Sequence, residues 1–146
     1  MSYIPISLNL NGQKIVVIGG GKVALQKLFT ILLYSKEVKV VAPDILQEVK
    51  GLDINIVEKE YEPEDLDGCQ IVYVCTNKKE LNSRIRLEAK KRGLLVNVAD
   101  SPKECDFISP AIYKEGEISI AVSSNATDTK RAVRIRNKLK GEGIAI

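Results

Sequence analysis

Three consecutive glycines at positions 19–21 are the feature that most constrains how this chain can fold. They separate the apolar run Ile15–Ile18 from the segment Val23–Leu33, which can form a helix. Together with Ala24 they give the pattern Gly-x-Gly-x-x-Ala, which is typical of a strand–turn–helix unit that binds a dinucleotide. Glycine permits the sharp turn and lets the backbone approach a pyrophosphate, and the small Ala24 lets the helix pack closely on the strand. The pattern predicts a dinucleotide site; the alternative is a glycine-rich turn that binds nothing.

Strand and helix patterns alternate through the first two-thirds of the chain. Apolar runs bounded by turn residues predict five strands, at Ile15–Ile18, Val38–Ala42, Ile54–Val57, Ile71–Cys75 and Leu94–Val98. Helical patterns lie between them, at Lys22–Tyr34, Asp44–Lys50 and Lys78–Arg92. This rhythm predicts an α/β protein with a Rossmann-like parallel sheet and helices on both faces.

The pattern changes near residue 105. Ile112–Lys114 and Ile118–Val122 flank a turn signal and predict an antiparallel hairpin, and the basic segment Thr127–Leu139 predicts a helix after it. We expect an NAD-binding Rossmann domain over residues 1–105 and a C-terminal hairpin and helix over residues 106–146. The second segment is too small for a core of its own. Because a partner often completes such an appendage, we expect it to mediate dimerisation, giving a homodimer.

The composition of the 146 residues narrows the functional classes. No apolar run approaches the roughly 20 residues that cross a bilayer, and the N-terminus has no signal-peptide pattern. The three cysteines lack paired spacing and indicate reduced thiols, so we expect a cytoplasmic protein with no membrane partner. Histidine is absent, which excludes histidine acid–base catalysis and the usual zinc sites, and no metal site is expected.

Charge is mild overall but uneven along the chain. The net charge is +3, and the C-terminal segment 130–140 is strongly basic. Such a helix either faces water or binds a polyanion. Aromatic residues make up only 5% of the chain, too few for a base-stacking platform, so we expect no nucleic-acid partner.

Candidate site residues follow the predicted strands. Asp44 lies about 20 residues beyond the glycines, where an acid contacts the cofactor ribose, although it can equally cap the next helix. No arginine follows this strand to hold a 2′-phosphate, which favours NAD over NADP. Thr76 and Asn77 follow the fourth strand at the edge where ligands bind, with Asn77 favoured as a helix cap. Cys75 is interpreted as a packing residue rather than a nucleophile. Asp100 follows the fifth strand and is the best-placed carboxylate for proton transfer; capping of its own loop is the alternative.

A series of further motifs follows in a specific order and spacing along nearly the whole chain. They are Ile4-Pro5-Ile6, a short strand at Leu8–Leu10, Val17–Ala24 followed by Lys27, Val40–Pro43, Asn97–Asp100, Cys105–Ala111 and Ile118–Ser124. In these motifs the chain resembles the precorrin-2 dehydrogenase and sirohydrochlorin ferrochelatase family, the NAD-binding module of siroheme synthases.

The resemblance implies NAD-dependent oxidation of precorrin-2, a tetrapyrrole, to sirohydrochlorin in siroheme biosynthesis. It implies that Asp100 is the catalytic general base, and Ser124 matches a serine that is phosphorylated in some relatives. Together with the glycine turn and the strand ends, it gives the expected cofactor contacts as Gly19, Gly20, Gly21, Lys22, Val23, Pro43, Asp44 and Thr76. A basic surface for the substrate carboxylates would come from Lys103, Lys130, Arg131, Arg134 and Arg136.

Two departures from the family keep alternatives open. Asn125–Lys130 replaces a glycine-containing stretch that usually ends in Ser-Pro, and Asp128 adds a negative charge there. Relatives also usually continue past the position of Ile146 into a further helical segment. The alternatives are a catalytically reduced module that binds NAD or a tetrapyrrole, and a ferrochelatase that inserts iron into sirohydrochlorin.

Overall fold

The computed structural model describes residues 2–142, which fall into two compact units. The larger unit runs from Leu8 to Asp106. The smaller one holds the residues from Phe107 onward together with those before Leu8.

The larger unit is a five-stranded parallel sheet with helices. Its strands are β1 (Ile15–Ile18), β2 (Val38–Ala42), β3 (Asn55–Glu58), β4 (Ile71–Val74) and β5 (Leu95–Val98), in the order β3-β2-β1-β4-β5. Its helices are α1 (Lys22–Ile31), α2 (Gln47–Lys50) and α3 (Lys79–Lys91), with 3-10 turns at Pro63–Leu66 and Pro102–Glu104. The order is that of a Rossmann fold.

The central strands are buried on both faces because they are nearly continuous runs of β-branched residues. All four residues of β1 are buried. Ile18 pairs with Val41 of β2 and with Val74 of β4, and Val74 pairs with Val98 of β5. Four strands therefore end at one level, and the loops that follow them share one edge. The strand order reverses at β1, so the glycine turn lies at the switch point of the sheet.

Helix α1 ends earlier than the sequence pattern predicts. The prediction ran to Tyr34, but the helix stops at Ile31 because the last turn tightens. Leu33 N donates to Thr30 O at 3.2 Å and Tyr34 N to Ile31 O at 2.9 Å, which are three-residue rather than four-residue steps. Helix α3 stops as expected at Gly93, whose φ of 74° suits glycine.

The smaller unit contains an antiparallel hairpin and a helix. Strands β6 (Ala111–Glu115) and β7 (Ile118–Val122) pair with each other, and α4 (Thr129–Gly141) follows. Helix α4 buries Ala132, and the Arg136 guanidinium donates to Ile112 O at 2.9 Å. The predicted parallel sheet with an appended hairpin and helix is confirmed.

Asp128 has a structural role that its charge alone did not suggest. It is the N-cap of α4, and its carboxylate accepts a hydrogen bond from Arg131 N at 2.8 Å. The helix therefore begins at Thr129 rather than at the predicted Thr127, because the cap residue lies outside the helical turn.

The strand expected at Leu8–Leu10 is not formed. Ile6 and Leu8 are 75% and 49% exposed, and within residues 2–142 this segment pairs with neither sheet. An extended segment without a pairing edge has no ladder of hydrogen bonds to make it a strand.

Among the described residues, no helix has the length and apolar character needed to span a bilayer.

Candidate dinucleotide-binding site

A cleft of about 580 Å³ opens at the carboxyl edge of the parallel sheet, within the larger unit. Its wall is formed by the glycine turn, the start of α1 and the segments that follow β2, β3, β4 and β5. All nine residues predicted for the site line this cleft, namely Gly19, Gly20, Gly21, Lys22, Val23, Pro43, Asp44, Thr76 and Asp100.

The three glycines do not all have the same role in this turn. Gly19 has a φ of 128°, and a Cβ atom there would lie 2.6 Å from Cys75 O. At Gly20 a Cβ atom would lie 2.5 Å from Asp44 O. At Gly21 a Cβ atom would meet nothing within 4 Å. The first two glycines therefore allow the backbone to pack, whereas the third leaves open space in the cleft.

The start of α1 fits the phosphates of a dinucleotide. The helix begins at Lys22 after an N-cap glycine, and its first turn contains no acidic residue. The first N–H groups of a helix have no partner within the helix and carry the positive end of its dipole. Ala24 is fully buried, so α1 packs closely against the sheet. Backbone donors, a lysine and the open space at Gly21 together match a pyrophosphate.

Asp44 lines the cleft and does not cap a helix. Helix α2 starts at Gln47, its N-cap is Leu46, and no side chain caps it. The backbone of this segment is instead tied to the glycine turn, because Leu46 N donates to Gly20 O at 2.9 Å. The capping alternative for Asp44 is therefore wrong, and its exposed carboxylate faces the cleft.

Thr76, rather than Asn77, organises the start of α3. The N-cap is Lys78, whose backbone N donates to Thr76 Oγ1 at 3.2 Å. The buried Asn82 donates to Thr76 O at 3.0 Å, and the Thr76 hydroxyl hydrogen-bonds to the Asn82 side chain. The interpretation of Asn77 as the cap is wrong, because the helix starts one residue later than predicted; Asn77 lines the cleft instead.

Asp100 occupies a left-handed turn directly after β5. Its φ is 61°, a conformation that Asp tolerates better than most residues. Ala99 N donates to Val74 O at 2.9 Å, which ties the turn to the neighbouring strand. Within residues 2–142 we find no hydrogen-bond partner for the Asp100 carboxylate, so the loop-capping alternative has no support. The carboxylate is exposed at the cleft.

Cys75 lies in the wall of the cleft behind the glycine turn. Burial raises the pKa of its thiol to about 12; the nearby Asp100 charge adds to this, and Lys27 opposes it. Because a thiol must ionise to act as a nucleophile, this environment supports a packing role.

Sequence reasoning missed part of the wall, formed by Glu60, Tyr61, Lys78 and Leu81. Tyr61 is 7% exposed and its hydroxyl donates to Glu88 at 2.5 Å. Burial and the Glu88 carboxylate raise the Tyr61 pKa well above its usual range. The Arg84 guanidinium lies 5.8 Å from the Tyr61 ring centroid. The sequence did contain a signal for Glu60 and Tyr61. Because β3 was predicted to lie parallel to its neighbours, the residues after it are expected at the same edge of the sheet.

Fold and cleft together define a dinucleotide-binding protein of the Rossmann type. The family model NAD_binding_7, which describes NAD(P)-binding proteins, matches residues 6–111. The chain belongs to this NAD(P)-binding family.

Curated relatives extend the comparison beyond the family model. The chain is 35% identical over 145 residues to a siroheme synthase of Nitrosococcus oceani, covering 96% of this chain and 31% of that protein. It is 37% identical over 144 residues to a siroheme synthase of Pseudomonas fluorescens, with the same coverage of 96% and 31%. The chain thus spans about a third of the length of these relatives.

A solved structure, "SirC, precorrin-2 dehydrogenase", superposes with a TM-score of 0.85 at 24% identity, covering 96% of this chain and 70% of that one. This likeness shows that the two chains share a fold.

Proposed function

We propose that this chain catalyses the NAD-dependent dehydrogenation of precorrin-2 to sirohydrochlorin in siroheme biosynthesis. One observation carries the proposal: the glycine turn and Asp100, 79 positions apart in sequence, line one cleft. A dehydrogenase needs a cofactor site and a proton acceptor at the same place, and the residues that line this cleft are of the types that suit both roles. The proposed substrate is taken from the names of the siroheme synthase relatives and of the SirC structure.

The roles of the chain's own residues follow from their positions. The N–H groups at the start of α1 and the open space at Gly21 would hold the pyrophosphate, with Lys22 and Val23 beside them. Pro43, Asp44 and Thr76 would contact the rest of the cofactor. When bound, the nicotinamide accepts a hydride.

Asp100 would take the second hydrogen of precorrin-2 as a proton. The substrate then loses one hydride and one proton, a two-electron oxidation, and the proton resides on the Asp100 carboxylate. An exposed carboxylate at the mouth of the cleft can pass that proton to water, which readies it for the next turnover.

Each unit by itself carries exposed cations of the kind that bind carboxylates. Lys130, Arg131 and Arg134 are exposed on α4, and Lys103 follows β5 in the larger unit. Arg136 is engaged with Ile112 O and Asn137, so it is the least available of the predicted set.

We propose that the smaller unit mediates a homodimer and that the larger unit, Leu8–Asp106, is the NAD-binding domain. These units correspond to the expected segments 106–146 and 1–105, except that the described residues before Leu8 group with the smaller unit. Apolar side chains are exposed in the smaller unit: Ile4 is 82% exposed and Ile135 is 41% exposed. Such surface favours a second copy of the chain. The three cysteines are free, which suits the reducing cytoplasm that we propose as its location.

Anaerobic incubation of the purified chain with precorrin-2 and NAD tests the activity. We expect sirohydrochlorin and NADH to appear in equal amounts. Asp100→Asn removes the proton acceptor and should lower kcat by about a hundredfold or more, while NADH binding stays within twofold. Asp53→Asn is the matched control, because its carboxylate is 92% exposed and lies outside the cleft. Full turnover by Asp100→Asn would overturn the role of Asp100. NADH binding with no turnover by the unaltered chain would instead identify a binding module.

A further inference from the structure

A second carboxylate, that of Glu60, lines the cleft together with Asp44. Strands β2 and β3 are parallel, and Ala42 pairs with Glu58. Asp44 and Glu60 are each the second residue beyond that pair, so the register carries both to equivalent positions past adjacent strands. Both line the cleft and both are exposed. The β2–β3 side of the cleft is thus bordered by two acidic side chains.

The lysines near these acids are engaged elsewhere. Lys59, next to Glu60, bonds to Glu62 at 2.6 Å and to Asp65 at 3.0 Å. Lys50 bonds to Glu58 at 2.9 Å.

The other lysines in this region lie either outside the cleft or on parts of it that do not follow β2 and β3. Lys39 of β2 lines a separate groove with Lys14. The two lysines that line the cleft, Lys22 and Lys78, belong to the start of α1 and to the segment after β4. Within residues 2–142, the side of the cleft beyond β2 and β3 therefore presents acids without a lysine or arginine between them.

This charge arrangement distinguishes two dinucleotides that differ at one group. In Rossmann folds the acid after β2 contacts the ribose 2′-hydroxyl of NAD, whereas NADP carries a phosphate there. That phosphate has a charge of about −1.5 to −2 at pH 7. A second carboxylate adds repulsion to the phosphorylated ligand and leaves the hydroxyl ligand almost unaffected.

We propose that Glu60 is a specificity-determining residue that rejects 2′-phosphorylated dinucleotides from this cleft. The inference rests on the cofactor site proposed above but not on the dehydrogenase reaction. No sequence motif after β3 indicates this role for Glu60; the register between β2 and β3 is what relates it to Asp44.

Direct binding of NADH and NADPH to the purified full chain tests the proposal without catalysis. Dissociation constants are measured by ligand fluorescence for the unaltered chain, for Glu60→Gln and for Glu48→Gln. Glu48 is the matched control, because it lies on α2 close to Asp44 in sequence, is exposed and does not line the cleft. We expect Glu60→Gln to tighten NADPH binding about tenfold, with NADH binding unchanged within twofold. Glu48→Gln should leave the ratio of the two constants unchanged.

Salt provides a second readout that a structural role would not move. In 0.5 M NaCl the advantage of Glu60→Gln for NADPH should shrink to about twofold, because the Debye length falls to roughly 4 Å. Equal gains for NADH and NADPH, or the same shift in Glu48→Gln, would overturn the proposal. Selective NADH binding by a chain that fails to oxidise precorrin-2 would sink the proposed activity and leave the role of Glu60 standing. A chain that binds neither dinucleotide would overturn both.

Discussion

The thiol of Cys105 lies 3.1 Å from the backbone nitrogen of Val98, the last residue of β5, and accepts its hydrogen bond. The neighbouring Asp106 repeats the arrangement: its carboxylate accepts from Val96 N at 2.9 Å, and its own N donates to Val96 O at 2.8 Å. Residues 105 and 106 therefore satisfy the outer edge of β5, which would otherwise be an open strand edge. Asp100 lies two residues beyond Val98, and the Cys105 thiol also donates to Ser101 O at 3.4 Å, so these contacts hold the turn that carries the proposed base.

Removing the Cys105 thiol should loosen that turn. Cys105→Ala leaves the amide of Val98, a buried residue, without its partner, and we expect a loss of about 1–3 kcal/mol in the free energy of unfolding. Cys105→Ser keeps an acceptor and should lose less than half as much. Urea unfolding at pH 7 measures both variants, and equal losses would show that packing of the sulfur, rather than the hydrogen bond, stabilises this edge.

Substitutions at two positions of the glycine turn should distinguish its effect on stability from its effect on cofactor binding. Gly19→Ala forces a side chain onto Cys75 O at a φ of 128°, so we expect at least about 2 kcal/mol of destabilisation. Gly21 has a φ of −91° and open space around it, so Gly21→Ala introduces no clash. The N-cap preference for glycine over alanine, roughly 0.5–1 kcal/mol, is offset by about 0.4–1 kcal/mol of lost entropy in the unfolded chain, so the net cost should be only a few tenths of a kcal/mol.

Binding should respond to Gly21→Ala although stability does not. The methyl group occupies the space that we assign to the pyrophosphate, and we expect the dissociation constant for NADH to rise at least tenfold. Thermal unfolding and NADH fluorescence titration, performed on the same preparations, measure the two effects. Unchanged affinity in a stable Gly21→Ala variant would place the phosphates elsewhere.

Much of this architecture could be predicted because local pattern and tertiary structure agree. The strand at Val38–Ala42 was predicted with its observed bounds, since a valine-rich apolar segment that ends at Pro43 leaves little choice. Asp100 was placed at the correct edge because parallel strands send their following loops to the same side. The predicted cofactor, NAD, agrees with the NAD(P)-binding family.

The errors arose where a distant partner decides the structure. Asp44 and Asn77 have the residue types of helix caps, yet the chain continues for two or one further residues before each helix starts. The reason in the first case is the bond from Leu46 N to Gly20 O, which joins segments that no local pattern relates. The cleft wall at Tyr61 likewise depends on Glu88, 27 positions away.

A strained alanine offers a stabilising change in the smaller unit. Ala126 has a φ of 61°, and the left-handed region costs a residue with a Cβ atom roughly 1–2 kcal/mol. Ala126→Gly removes that cost but gives the unfolded chain about 0.4–1 kcal/mol of extra entropy. The first effect is larger, so we expect the variant to be more stable by about 0.5–1 kcal/mol. Ala121→Gly in β7 is the control and should be destabilising. The midpoint of urea unfolding measures both, and a lower midpoint for Ala126→Gly would contradict the strain.

Alkaline pH should unfold the chain partly through Cys75. Its folded pKa of about 12 lies above the ordinary thiol value of 9.0, so the folded state holds a proton that the unfolded state releases between these values. The stability from the protonated thiol is therefore fully present below pH 9 and is lost as the pH rises towards 12. One such proton contributes a slope of up to about 1.4 kcal/mol per pH unit.

The Cys75→Ala variant isolates this contribution. The pKa values of Tyr61 and of the other two cysteines are also raised, so stability should fall at alkaline pH even without the Cys75 thiol. Free energies of unfolding from urea titrations at pH 8, 9, 10 and 11 should fall less steeply for Cys75→Ala than for the unaltered chain above pH 9, whatever the constant cost of the smaller side chain. Parallel curves across this range would show that the Cys75 thiol ionises as readily in the folded chain as in the unfolded one.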